Sequence, residues 1–509
     1  MEWSIVSSVL LVIVITTTIS ILSRWRKSLG HGPKLPPGPP GWPIIGNLFD
    51  LGSMPHRSLA DLRPKYGEVV WLKLGAINTM AVLSSRAAAE LFGNHDLSFA
   101  TRALTETSRA HDYHLSSVAL APYGAYWRVM RRLMTTEMFV SRRVGEAAPV
   151  RRRCVDQMLT WIEEEAVVKA TAKGSAVHVA RFVFLMTFNL LGNVMLSRDL
   201  VDPNSEDGSE FFRAMNGLME WSGHVNLADL FPWLSRVDPQ GLMRKMERDV
   251  GKAIEIGSKL VRERMNEEEE LMNEKKKDLL DVLLEFEGSG KDEPSKLSER
   301  QMNIFILEMF FAGTETVSSS IEYAMTELLL NPDAMTKAKA ELAQVVGSGR
   351  KLEEADIDKL PYLQAVVKES LRLHPPIPLL IPRKATNDTV FMGYFVPKNT
   401  QVFVNAWAIG RDPEVWNNAS SFKPERFLDS NLDYRGQNYE YIPFGAGRRI
   451  CAGLPLARCL LHFVLGSLIH HFDWRLDEKG SRETMDMRDR MGIVARKLEP
   501  LFAVPTKCL

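Results

Sequence analysis

Apolar residues along this chain recur mostly at helical spacing, with a few short runs that alternate instead. The periodicity predicts helices over 146–169, 176–197, 298–330, 332–347 and 453–470, with a shorter helical stretch from Leu363 to Leu373. Strand-like alternation is confined to Val69–Leu74, Thr79–Leu83 and Val402–Asn405. No internal repeat is evident, and no second linker interrupts the pattern after Ile44, so residues 44–509 read as one body. The expected fold is mainly α with a minor β portion, the strands lying toward the two ends of that body. The stretch 298–330 is the longest. Ser298-x-x-Gln301 supplies a capping box at its start, and Asn331-Pro332 stops it. At about 1.5 Å per residue it spans roughly 50 Å, enough to cross a whole domain. Its middle, Phe310-Phe-Ala-Gly-Thr-Glu-Thr316, breaks the apolar pattern. Glycine costs about 1 kcal/mol inside a helix, and a threonine hydroxyl can divert a backbone carbonyl. Either a kink at a helix crossing or a functional opening would account for that interruption.

The amino-terminal segment follows another pattern. From Ile5 to Leu22 there is no charge, and Arg24, Arg26 and Lys27 follow directly. Eighteen such residues just reach across a bilayer core. The flanking cations place the following body in the cytosol. A cleaved signal peptide would carry basic residues first and a small-x-small site after; here Glu2 precedes and Arg24-Trp25-Arg26 follows, so a retained transmembrane anchor over residues 1–23 is expected. Residues 24–43 then form a basic, proline-rich hinge, Gly32-Pro-Lys-Leu-Pro-Pro-Gly-Pro-Pro-Gly-Trp-Pro43 at its core. Proline fixes φ and removes donors, so this segment is a stiff elbow rather than a helix.

Charge changes the picture little: 63 basic residues meet 63 acidic ones, which leaves no drive toward nucleic acid. The run Glu267-Glu-Glu-Glu270 to Lys275-Lys-Lys277 reads as a solvated helix end and loop. The four cysteines, Cys154, Cys451, Cys459 and Cys508, show no C-x-x-C spacing, so neither a disulfide framework nor a zinc knuckle is indicated.

One cysteine has distinctive surroundings. Phe444-Gly-Ala-Gly-Arg-Arg-Ile-Cys451-Ala-Gly453 places it in a Gly/Arg-rich loop opening onto an apolar helical run. A thiolate there is held by N–H groups at a helix start. Glycines let the backbone approach a flat macrocycle, and arginine pairs with its carboxylates. The spacing Phe444-x-x-Gly447-x-Arg449-x-Cys451-x-Gly453 resembles the haem-binding signature of the cytochrome P450 superfamily. The middle of the long helix resembles that family's oxygen-binding segment, with Glu315 and Thr316 as its acid–alcohol pair. Val317 stands where the family has threonine or serine, which puts details of water placement in question.

Further motifs stand where the family has them. Glu369-x-x-Arg372 puts both side chains on one helical face, and Arg426 of Pro424-Glu-Arg426-Phe is the expected third member of a lock on the cysteine loop. Trp127-x-x-x-Arg131 presents an indole N–H and a guanidinium on one face, a clamp for a carboxylate. Arg383 resembles a further propionate partner, beside Arg449.

The resemblance implies a cytochrome P450 fold and haem b ligated by the Cys451 thiolate, which favours O–O cleavage. Glu315 and Thr316 would relay protons toward dioxygen. No G-x-G-x-x-G fingerprint occurs in residues 44–509, so electrons from NADPH are expected through a separate cytochrome P450 reductase. A basic rim of Arg128, Arg132, Arg448 and Arg458 could dock it. Leu371-Arg-Leu-His-Pro-Pro376, Asn405-Ala-Trp-Ala-Ile-Gly-Arg-Asp-Pro413 and Ile442-Pro-Phe-Gly-Ala-Gly-Arg-Arg449 are similar to plant microsomal members that oxidise monoterpenoids, such as geraniol hydroxylase and iridoid oxidase. These imply a small apolar substrate, an endoplasmic-reticulum membrane and a cytosol-facing body. Phe305, Phe310, Phe311, Ile377, Leu379 and Val494 are candidates for an apolar pocket or for core. A hydroperoxide-rearranging enzyme of the same fold, needing no proton relay, and hydroxylases of phenolics, alkaloids or fatty acids are the alternatives.

Overall fold

The computed structural model describes residues 34–170, 176–202, 210–267, 278–288, 290, 293–477 and 485–508. The expected anchor, the first part of the hinge and most of the charged run at 267–277 lie outside them.

The longer helices, in chain order, are α1 (Pro55–Tyr66), α2 (Ser85–Gly93), α3 (Ala125–Leu133), α4 (Ala148–Ala170), α5 (Val179–Leu196), α6 (Glu210–Ser222), α7 (Leu242–Glu267), α8 (Glu299–Leu330), α9 (Pro332–Val345), α10 (Pro361–Leu373) and α11 (Leu454–His471). The strands are β1 (Val69–Leu74), β2 (Ile77–Val82), β3 (Thr101–Arg102), β4 (Val177–His178), β5 (Arg383–Lys384), β6 (Thr389–Phe391), β7 (Tyr394–Val396), β8 (Gln401–Val404), β9 (Phe472–Leu476), β10 (Asp489–Met491), β11 (Ala495–Lys497) and β12 (Phe502–Lys507). The described chain is thus mostly helical with minor sheet.

α8 is the axle of the helical layer. Ser298 and Gln301 form the expected capping box, and Asn331 is its C-cap. Apolar residues surround it on nearly every side, so it is buried by packing against α5, α7, α10 and α11. α5, α8 and α11 each carry 18 residues or more of apolar helix, a length able to cross a bilayer, yet 67–78% of each such window is buried inside the protein. They are core helices.

The five-stranded sheet runs β1-β2-β8-β5-β3 and unites the two ends of the body. β2 and β8 pair in parallel, Met80 opposite Val402. β5 then pairs antiparallel with β8 and with β3, which sets Arg383 directly opposite Arg102. That register carries two buried guanidiniums into one place. The proline-rich segment is no free strut: Pro37 O accepts the Trp71 N–H at 2.8 Å, and a Cβ on Gly38 would sit 1.8 Å from Trp71 O. Its second half therefore lies flush along β1, where only glycine permits the approach.

Candidate active site

The loop ahead of α11 is shaped by its glycines. Gly445 and Gly447 have φ of +73° and +68°, and a Cβ on Gly447 would meet the Asp96 carboxylate at 2.8 Å. Asp96 in turn accepts the Arg448 backbone N–H at 2.8 Å, pinning the loop to the chain after α2. The loop closes on itself where the Cys451 N–H donates to Phe444 O at 3.0 Å. The Phe444 ring rests on Tyr434, centroids 5.3 Å apart.

Cys451 then precedes the first turn of α11, which has no side-chain cap. Its sulfur faces the backbone N–H groups of Gly453 and Leu454, two of the donors a helix start leaves free. Burial pushes the thiol up, while those N–H groups and the Arg131 charge pull it back toward the thiolate. Cys451 keeps an accessible face although protein surrounds it closely. Among the described cysteines the others are poorly suited as ligands. Burial pushes Cys154 up to about 11 and Cys459 up to about 12, and Cys459 Sγ is engaged by Glu354 at 3.1 Å.

Beside this loop lies a knot of cations. Arg449 donates to Ala100 O (2.9 Å), Val118 O (3.1 Å) and Ala121 O (2.6 Å), and stacks on the Trp127 ring at 4.3 Å. Arg383 reaches Asp96 at 2.8 Å and Ala446 O at 3.1 Å. Arg102, buried opposite it, donates to Ala119 O and Ile381 O at 3.1 and 2.6 Å. Burial and then mutual repulsion hold Arg102 well below the usual arginine range and bring Arg449 to about 10. Burial likewise lowers Arg131, against the pull of Cys451. These four buried guanidiniums share one directly paired carboxylate, Asp96, which Arg448 also engages, so the knot carries an excess of positive charge. Like charges placed opposite one another cost stability unless an anion joins them. Two ionised propionates would offset that excess, and a soft thiolate donor sits at the same loop. The residues present fit a haem.

Trp127 differs from the expected clamp. It shares α3 with Arg131, but its indole N–H already donates to Val118 O at 3.0 Å, so it supports Arg449 from beneath instead of presenting a free donor. The basic rim differs too. Arg128 is exposed, while Arg132 is held bidentately by Glu293 at 2.7 and 3.0 Å, Arg448 by Asp96 at 3.2 Å and Arg458 by Asp358 at 3.5 Å.

The structure brings Glu369, Arg372 and Arg426 together. Arg372 grips Glu369 with two bonds of 2.7 and 2.8 Å, and Arg426 Nε reaches the same carboxylate at 3.0 Å. Both members of the first pair are fully buried. From this lock an aromatic column runs to the cysteine loop. Trp416 lies under Arg372, and Phe427, Tyr441 and Tyr434 follow in contact until Phe444.

α8 is helical throughout 310–316. One face opens there: Ala312 is exposed and Phe311, Gly313 and Thr316 half-buried, while Phe310, Thr314, Glu315 and Val317 are buried. Thr316 Oγ1 donates to Ala312 O at 2.8 Å and Thr314 Oγ1 to Phe310 O at 2.6 Å, loosening two consecutive turns. Gly313 also has a packing reason, since a Cβ would meet Leu191 of α5 at 2.9 Å. Glu315 is buried and pairs with Arg496 of β11 at 2.9 Å. Burial pushes its carboxyl up, and Arg496 and Arg490 draw it down. Val317 is buried in the main core. Phe305 and Phe310 are core as well, Phe310 packing on Phe188 and Phe211. Sequence reading missed Asp96, Arg102 and Glu308; each meets the site only through long-range packing.

The cytochrome P450 family model matches residues 36–502. The chain is 54% identical to Cytochrome P450 76A2 of Solanum melongena over the full length of both. It is 50% identical to the iridoid oxidase of Catharanthus roseus, over 95% of this chain and 94% of that one. It is also 42% identical to the geraniol 8-hydroxylase of the same plant, over 99% of each. Among solved structures, a zebra fish cytochrome P450 with abiraterone superposes with a TM-score of 0.72 at 25% identity, covering 89% of this chain and 99% of that one. The cysteine loop, the surplus of buried guanidiniums and these likenesses agree: this chain belongs to the cytochrome P450 family and is a monooxygenase.

Proposed function

We propose that this protein oxidises a small apolar plant metabolite of the monoterpenoid or iridoid class, using O2 and electrons drawn from NADPH by a separate cytochrome P450 reductase. The observation that carries the reading is the open face of α8 at Ala312 and Thr316 on a helix packed against α11, whose start holds Cys451. The relatives named as an iridoid oxidase and a geraniol 8-hydroxylase support the substrate class.

In this reading Cys451 Sγ would ligate the haem iron, Arg131, Arg383 and Arg449 would hold the propionates, and Trp127 steadies Arg449. Gly447, Gly453 and the Phe444 carbonyl keep the loop close enough for the sulfur to reach. Haem, when bound, supplies activation of dioxygen and transfer of one oxygen atom to a C–H bond. The chain supplies the protons. Glu315 Oε1, paired with half-exposed Arg496, takes a proton from solvent, and Thr316 Oγ1 hands it on while Ala312 O holds the hydroxyl.

The protein would sit on the endoplasmic-reticulum membrane, its body in the cytosol. Beyond the uncharged run at 5–22, exposed Trp42, Ile44 and Phe49 and exposed Val225, Trp233 and Val237 support this placement. Both segments bond to the β1–β2 turn, Ile45 O accepting from Gly75 and Leu230 O from Ala76, so they share one side.

A panel of monoterpene alcohols, iridoids, phenolics and fatty acids, incubated with protein, reductase and NADPH, tests the substrate class. Oxidised monoterpenoids are expected; turnover of a hydroperoxide without NADPH would favour the rearranging alternative instead. The relay has its own test. Thr316→Ala is expected to keep its haem and consume NADPH, but to lower product formed per NADPH roughly tenfold, with the balance released as hydrogen peroxide. Unchanged coupling would remove Thr316 from the relay.

A further inference from the structure

Glu308 is a fully buried carboxylate on α8, about two turns before Thr316, and no step above uses it. Among the described residues it makes no salt bridge. Its Oε1 accepts the Ser117 hydroxyl at 2.6 Å and the Ala119 N–H at 2.7 Å, and its Oε2 accepts the Val118 N–H at 2.5 Å. Ser117 Oγ then accepts the Leu120 N–H at 3.0 Å. Two successive backbone donors of one short loop thus bond to α8 directly, and a third reaches it through the Ser117 hydroxyl.

The carbonyls of that loop bond to the cations. Val118 O takes both the Trp127 indole and Arg449 Nη1, Ala121 O takes Arg449 Nη2, and Ala119 O takes Arg102 Nε. The 118–119 peptide therefore lies head to tail between Glu308 and Arg449, and the 119–120 peptide lies between the Ser117 hydroxyl, itself bonded to Glu308, and Arg102. Hydrogen-bonded dipoles in a dry interior strengthen one another in such a chain. The negative end orients the carbonyls, and the carbonyls orient the arginines. Burial raises the Glu308 carboxyl, while its three donors and the Arg449 charge favour ionisation.

We propose that Glu308 is a positioning residue for haem: through loop 117–121 it aims Arg102 and Arg449 at the haem carboxylates and so slows haem loss. The inference rests on the reading that these arginines hold the propionates. Arg102, absent from any motif in the sequence, joins that set because it shares the loop.

The test is the rate at which the purified holoprotein loses haem to excess apomyoglobin. Glu308→Gln keeps the shape of the side chain but turns one acceptor into a donor facing an N–H. Loss of a charge-assisted acceptor predicts haem release faster by roughly tenfold or more. Glu322→Gln is the control. Glu322 is another buried carboxylate on α8, bonded to the Leu501 N–H at 2.8 Å, and its substitution should leave the release rate unchanged. A double-mutant cycle separates positioning from general weakening. If Glu308 acts through Arg449 and Arg102, Glu308→Gln and Arg449→Lys together release haem more slowly than the product of their single effects, because the Arg449 part is lost only once. Multiplying effects, or an unchanged rate in Glu308→Gln, overturn the proposal. Should Glu308→Gln yield no folded protein, Ser117→Ala carries the test, with roughly threefold faster release supporting the proposal and an unchanged rate overturning it. The reduced carbon monoxide spectrum of the parent protein keeps the two readings apart. Absence of a thiolate-type Soret band there would refute the haem assignment itself, whereas a normal parent spectrum with no effect of Glu308→Gln refutes only the positioning role.

Discussion

Replacing Cys451 by alanine is expected to abolish NADPH-dependent oxidation and the red-shifted Soret band of the reduced carbon monoxide complex that names the family. The loss should exceed the roughly 100-fold that removal of an outer-shell partner costs a metal site. No other described cysteine can take over. Cys154 lies in the main core, and burial holds its thiol protonated at neutral pH; the Cys459 thiol on α11 is engaged by Glu354. Cys508, near the C-terminus, neighbours Asp473 and Lys339, remote in the fold from the glycine loop. Only Cys451 combines accessibility with two backbone N–H groups and a nearby guanidinium to favour its thiolate. Of the cations only Arg131 is coupled to the sulfur, so Arg102, Arg383 and Arg449 should still hold some haem by its carboxylates in Cys451→Ala. A variant that keeps the red-shifted band would show that the iron is held by another residue.

Much of the frame could be read from the chain because its signals are local. The capping box at Ser298 and the Asn331-Pro332 stop delimit α8 within a residue of its observed ends, and β1 spans Val69–Leu74 as its alternation predicts. The helix expected over 176–197 begins instead at Val179, since Val177 and His178 form β4 against Phe502 and Ala503 of β12. A two-residue strand whose partner lies at the far end of the chain leaves no periodic trace. The same distinction divides the site. The glycine loop and Glu369-x-x-Arg372 are spacings, visible in sequence. Arg102 enters through the β3–β5 register, Asp96 through the contact that forbids a side chain on Gly447, and Glu308 through a loop nearly 200 positions earlier. Trp127 shows the limit from the other side. Its helical pairing with Arg131 is sound, but Val118 O claims the indole N–H, and one-dimensional spacing cannot reveal that competition.

Arg372→Ala is expected to cost about 3–5 kcal/mol of folding stability, the penalty for breaking a buried ion pair by removing one partner. Out of a total of roughly 5–15 kcal/mol, such a loss leaves little folded protein near physiological temperature. The substitution strands more than Glu369. The Arg372 guanidinium also donates to Gly410 O at 2.5 Å, Ala419 O at 2.7 Å and Ser421 O at 3.2 Å, gathering three turns of the irregular segment between α10 and the cysteine loop. Buried carbonyls left without donors each add a desolvation cost. Arg426 cannot compensate, because its Nε already holds Glu369 Oε1 while its other nitrogens serve Asn417 O, Asn418 O and Ser421 O. The damage should reach the iron ligand, since Trp416 rests on Arg372 and the aromatic contacts continue through Tyr441 and Tyr434 to Phe444, whose carbonyl closes the Cys451 loop. Two measurements follow the two halves of this argument. Chemical denaturation of whatever folds should show the lowered midpoint, and the reduced carbon monoxide spectrum should shift away from the thiolate form even in the folded fraction. Arg372→Lys keeps the charge but not the fork, so it should fall between alanine and the parent on both measures. A folded Arg372→Ala protein of parental stability with an intact thiolate spectrum would mean that Glu369 and Arg372 do not lock the loop.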